Sequence, residues 1–195
     1  MAIIYIDADA CPVKAEAEQV ASRHQCPLVL VSNGGIRPSQ NPLVRLVVVA
    51  SGPDEADKYI AAQVEKNDIV ITNDIVLAAK VLDKDASCLR HNGDIFTKQN
   101  IGLQLAKRDL MADRRAADPF FIEKNRGGHK SFSKCDRSEF LNKLELLIRK
   151  SQHGKENGER EVENFGDILV WLGLGGVILG LVLKAVLKKK PPNAE

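Results

Sequence analysis

Short, wholly apolar runs alternate with helical segments along the first ninety residues, and several of those runs stop at a carboxylate. Residues 2–7, Leu28–Val31, Val44–Ala50, Asp68–Thr72 and Ser87–Leu89 are rich in β-branched and aliphatic residues, without the polar alternation of a half-exposed strand. Strands of this kind must be covered on both faces. Between them, helical spacing predicts helices over 13–24, opened by Pro12, over 54–65 and over 75–82. Further helices are expected over 97–117 and 137–150, the second with Phe140, Leu141, Leu144, Leu147 and Ile148 along one face. The alternation dictates an α/β fold, a central mainly parallel sheet flanked by helices in three layers.

Ligands of such sheets bind beyond the carboxyl ends of the strands, where the strand order reverses. Carboxylates gather at those ends: Asp7 and Asp9 after the first strand, Asp54 and Asp57 at the start of a helix, Asp74 after the fourth strand. Asp7 and Asp9 are two apart and share one side of an extended chain, while Asp54 and Asp57 share one helix face. If strands one and four are neighbours, the side chains converge. Like charges held together repel unless a cation lies among them. Hard oxygen ligands suit Mg²⁺ or Mn²⁺, ions that activate water and stabilise a leaving oxygen at phosphorus. Individually, Asp54, Asp57, Asp74 and Asn73 also read as helix caps. Asp7 and Asp9 do so less well, because Pro12 places the helix start beyond them.

The ordered motifs Asp7-Ala8-Asp9-Ala10-Cys11-Pro12-Val13, Val31-Ser32-Asn33, Asp54-Glu55-Ala56-Asp57, Val70-Ile71-Thr72-Asn73-Asp74-Ile75 and Ser133-Lys134-Cys135-Asp136-Arg137-Ser138-Glu139-Phe140 resemble the YaiI/YqxD family of bacterial proteins over roughly residues 2–149. That family's fold resembles the PIN-domain nucleases. The resemblance implies an acidic Mg²⁺- or Mn²⁺-dependent site that cuts RNA or DNA, RNA being favoured. It implies Asp7 as central ligand, Asp74 as its partner across the switch point, Asp57 contributed by the helix, and Asp9 and Asp54 in support. Thr72 and Asn73 would orient water or a phosphate oxygen. His129 stands where the family usually has proline after Gly127-Gly128. Two alternatives remain open beside the nuclease: a non-catalytic module that binds nucleic acid or protein, and a small-molecule phosphate-ester hydrolase.

A net charge of +2 and 5% aromatic residues exclude a strongly basic architectural nucleic-acid binder and argue against a stacking platform. The near-neutral average conceals local clusters. Residues 105–137 carry nine Lys and Arg against five acids, and the loop bearing Arg126, His129 and Lys130 is expected to touch substrate phosphate. The four cysteines show no zinc spacing, and no signal peptide precedes the first strand, so the body is expected to be cytoplasmic with reduced thiols. Cys11 reads as packed rather than reactive, for want of an evident activating base.

The chain divides into a domain over 1–150, a polar acidic linker over 151–167 and a hydrophobic helix over 168–190. Residues 168–183 are sixteen consecutive apolar or glycine residues, and a snorkelling Lys184 extends the span to Leu187, about 30 Å of helix. Trp171 near one end and Gly176-x-x-x-Gly180 fit attachment of a cytoplasmic body to the inner face of the membrane, with homodimerisation in lipid.

Overall fold

The computed structural model describes residues 2–9, 11–117 and 132–152. The elements run β1 (Ile4–Asp7), α1 (Lys14–Arg23), β2 (Leu28–Ser32), β3 (Val44–Val48), α2 (Glu55–Gln63), β4 (Ile69–Ile71), α3 (Ile75–Asp83), β5 (Ser87–Leu89), β6 (Ile95–Phe96) and α4 (Ile101–Ala117). A fifth helix, α5, covers 134–152. One sheet takes all six strands in the order β3-β2-β1-β4-β5-β6. All neighbours are parallel except β5 and β6, which pair antiparallel. Strand order reverses between β1 and β4, where Ile4, Tyr5 and Ile6 pair with Ile69, Val70 and Ile71.

The expected covering of both faces is realised with period-two regularity. Ile4, Ile6, Leu28, Leu30, Ile69 and Ile71 face α1 and α5 in a core that includes Val13, Ala17, Val20, Phe140, Leu144 and Ile148. Tyr5, Val31, Val70 and Cys88 face the other way, against Ala56 and Ile60 of α2 and Leu77, Ala78 and Val81 of α3. Fully burying a large aliphatic or aromatic side chain contributes about 1.5–3 kcal/mol. Ile4, Ile6, Ile71, Leu77 and Phe140 are all buried. The layers are therefore α1 and α5, then the sheet, then α2 and α3.

Three differences from the expected elements have local causes. Strand β6 was not anticipated: two residues are too few for a periodic signal, and only pairing with Cys88 and Leu89 makes them a strand. Helix α4 begins at Ile101 because residues 97–100 form a turn, closed by Asn100 N–H donating to Thr97 Oγ1 (3.2 Å) and Thr97 N–H to Asn100 Oδ1 (2.9 Å). Helix α5 begins earlier than 137, since Ser133 and Asp136 make a capping box: Asp136 N–H donates to Ser133 Oγ and Ser133 N–H to Asp136 Oδ2. That box was readable as Ser-Lys-Cys-Asp.

Buried polar groups tie elements together. Asp68 accepts from Ile3 N–H and from Glu65 N–H, both at 3.0 Å, binding the entry of β4 to that of β1. Arg137 pairs with the buried carboxylate of Glu16, joining α5 to α1. Arg137 is one of the nine basic residues of the 105–137 cluster, and its partner gives it a packing role. No helix among the described residues is long and apolar enough to cross a membrane. Of the linker expected over 151–167, Ser151 and Gln152 belong instead to the end of α5, where Ser151 is buried; residues 153–167 and the hydrophobic helix expected over 168–190 lie outside the described residues.

A candidate metal centre at the switch point of the sheet

Asp7 is the last residue of β1, and its side chain is buried. Two residues after Tyr5, it falls on the sheet face covered by α2 and α3. The neighbouring strand β4 ends at Ile71, and Thr72 and Asn73 carry the chain into α3. Asp74 caps that helix: its Oδ1 accepts from Val76 N–H at 2.5 Å and from Leu77 N–H at 3.1 Å. The capping expectation therefore holds for Asp74. Since both bonds use one oxygen, the cap also fixes how the carboxylate is aimed.

Asp54 and Asp57 behave otherwise. Asp54 stands at the N-cap of α2 with a left-handed backbone (φ 60°) and makes no side-chain capping bond. Aspartate tolerates this region better than most residues, though at a cost. No bond returns from Asp57 to the Asp54 backbone either, so capping does not account for these two carboxylates among the described residues. The carboxyl of Asp57 is instead pushed up from 3.8 to about 6, by burial first and then by the charges of Asp74, Asp7 and Asp54. Lys80 of α3 opposes the rise. Three of the five expected acids, Asp74, Asp7 and Asp54, thus act on a fourth, Asp57.

Asp9 does not join them. The chain leaves the strand after Asp7, so the two-residue alternation no longer applies. Asp9 Oδ1 accepts from Ser32 Oγ (2.6 Å) and Oδ2 from Asn33 N–H (2.8 Å), clamping the end of β2. Asn33 Nδ2 in turn donates to Gly52 O at 3.4 Å, in the loop that leads to Asp54. Thr72 and Asn73 are likewise occupied in shaping the turn. Asp74 N–H donates to Thr72 Oγ1 at 3.0 Å, and Asn73 Oδ1 lies 2.7 Å from His91 Nδ1. His91 gave no signal in sequence, because only the parallel pairing of β5 with β4 brings it there.

Cys11 is buried with its sulfur 3.8 Å from Ile71 O, and burial pushes its thiol up to about 12. It is a packed thiol. Arg126, His129 and Lys130 lie outside the described residues.

A cleft of about 200 Å³ opens over the acids, lined by Asp54, Asp57, Lys58, Asp74, Val76, Leu77, Lys80 and Arg108. Among the described residues no group of three or more His, Cys, Asp or Glu side chains is placed to hold a metal ion by itself. Magnesium does not require such a cage: it is commonly held by one or two carboxylates, with water and substrate phosphate completing the shell. Carboxylates whose charges raise the proton affinity of Asp57 fit that demand, because a divalent cation relieves the same repulsion a proton would.

Residues 5–150 match the YaiI/YqxD family, described as uncharacterised. A UPF0178 protein of Roseobacter denitrificans is 58% identical over 151 residues, covering 77% of this chain and 97% of the relative. Relatives in Parvibaculum lavamentivorans and Rhodopseudomonas palustris are 52% and 46% identical, over 76% and 75% of this chain and 95% and 90% of their own. No solved structure matches.

Proposed function

The chain belongs to the YaiI/YqxD family, and from that premise we propose that it is a divalent-metal-dependent hydrolase of phosphodiester bonds, with RNA the favoured substrate. One observation carries the reading. Burial first, and then the charges of Asp74, Asp7 and Asp54 about the switch point between β1 and β4, push Asp57 to about 6. The resemblance to PIN-domain nucleases supports it.

Asp7 and Asp74 would hold Mg²⁺ or Mn²⁺, which when bound supplies charge neutralisation at phosphorus and lowers the pKa of water. Asp74 is aimed by its two bonds to the start of α3, and Asp7 by its place on the sheet. Asp57 is the proton acceptor. With a cation offsetting the charges of Asp7 and Asp74, burial is what keeps Asp57 basic enough to take a proton from the attacking water. As the new P–O bond forms, the bond to the departing sugar oxygen breaks. Asp9 organises the adjoining loop rather than the reacting groups.

The test is Mn²⁺-dependent cleavage of mixed RNA and DNA, read alongside Mn²⁺-induced thermal stabilisation. Asp74→Asn is expected to lose both. Asp9→Asn should keep the stabilisation, since its carboxylate is engaged with Ser32 and Asn33. Unchanged cleavage in Asp74→Asn would remove this site from the mechanism. Neither cleavage nor stabilisation in the wild type would leave a binding module.

A further inference from the structure

The acids line only part of the cleft. Lys58, Lys80 and Arg108 line another part, contributed by three different helices, α2, α3 and α4. They are not equivalent. Lys58 is tied to Glu55 on its own helix at 2.7 Å. Among the described residues Arg108 pairs with its sequence neighbour Asp109, at 3.3 Å, with both side chains half-exposed or more. Such an exposed pair contributes little and exchanges readily for a better anion. Lys80 makes no ion pair among the described residues; its charge acts on Asp57. A guanidinium fork beside an ammonium is what phosphate oxygens call for.

Size and lining restrict the ligand further. A volume of about 200 Å³ lies below the roughly 300–1,000 Å³ typical of small-molecule pockets. It has room for one sugar-phosphate unit and none for a double helix. No aromatic side chain lines it, so there is no platform for stacking a base. Val76 and Leu77 supply the apolar part.

We propose that Lys80 and Arg108 form a phosphate-holding wall opposite the carboxylates, so that the cleft admits one nucleotide unit of an unpaired strand and excludes duplex. This rests on the reading of the site as a phosphodiester hydrolase and adds to it the form of the substrate and the residues that select it. Recognition is by charge and strand width, with little regard for base identity.

Binding measured without metal separates this inference from catalysis. Fluorescence anisotropy in EDTA, on the full chain, compares a labelled single-stranded oligonucleotide with the same sequence as a duplex, for the wild type, Lys80→Gln, Arg108→Gln and the double variant. Both residues sit on the surface, and a thermal melt confirms that the variants fold. The single strand should bind several-fold more tightly than the duplex, and each substitution should weaken it several-fold. The slope of log affinity against log salt should fall by about 0.7 for each cation removed. Scrambling the base sequence should leave affinity unchanged. Equal or tighter binding of duplex, or wild-type binding by the double variant, overturns the inference. Binding as expected with no Mn²⁺-dependent cleavage would overturn the hydrolase reading and leave the phosphate wall standing.

Discussion

The carboxyl of Asp57 has the same chemistry as that of Asp9, yet the two meet opposite surroundings within one loop cluster. Asp9 is satisfied by a hydroxyl and a backbone N–H. Asp57 faces burial and three like charges. Because its folded-state value lies above its ordinary 3.8, the folded protein holds a proton there that the unfolded chain releases between pH 3.8 and about 6. Stability therefore falls as pH rises through that window, and the cost is fully present above it. Asp57→Asn should stabilise the metal-free protein at pH 7 by about 1 kcal/mol, a figure reduced from the full linkage value because water screens a partly exposed carboxylate. At pH 3.5 the gain should vanish. Urea unfolding in EDTA at the two pH values measures it, and an equal effect at both would place the cause in packing. The same variant should lose cleavage, so greater stability with lost activity is the expected signature of a strained site.

Among the elements, capping devices and one glycine fix the layout around the sheet. Lys84, just past α3, donates to Ala61 O, Ala62 O and Val64 O, satisfying carbonyls at the end of α2. The two helices that carry Asp57 and Asp74 are thereby joined at the ends remote from the acids. The β5–β6 turn depends on Gly93. Its φ is +94°, and an added Cβ would lie 2.8 Å from Glu139 Cβ and 2.9 Å from the Glu139 carbonyl carbon. Both backbone conformation and close approach to α5 demand glycine. Gly93→Ala should cost about 3 kcal/mol, through φ strain plus displacement of a helix backbone that cannot yield as a flexible side chain would. Denaturant unfolding checks this, and a loss under 1 kcal/mol would mean that α5 gives way freely. Gly34 and Gly35 also have positive φ, but a Cβ there meets nothing within 4 Å. Alanine at either should cost only the conformational strain.

For the whole molecule, both hydrophobic clusters are built from residues 4–148. The relative from Roseobacter denitrificans is matched over nearly its entire length by a comparable stretch. A truncation after Gln152 should therefore fold on its own, with a single cooperative urea transition and a slope appropriate to a domain of about 150 residues. A broad, uncooperative transition would show that residues beyond 152 complete the core.

The sequence by itself determined the fold class and the place of the candidate site. Apolar runs without alternation left a covered parallel sheet as the one way to bury both strand faces, and carboxylates at their ends marked the end that holds ligands. Helix limits were legible wherever a cap was written in adjacent residues, as at Ser133 and Asp136. What only the tertiary structure decided was which carboxylates meet. Asp7 and Asp9 look equivalent along the chain, and their separation depends on where β1 stops and on the presence of Ser32, twenty-three residues away, to receive one of them. His91 beside Asn73, and Lys80 and Arg108 in one cleft with Asp57, are likewise products of strand order and helix packing. Linear spacing encodes which face of one element a side chain occupies. Proximity between elements is set by the packing of all of them together.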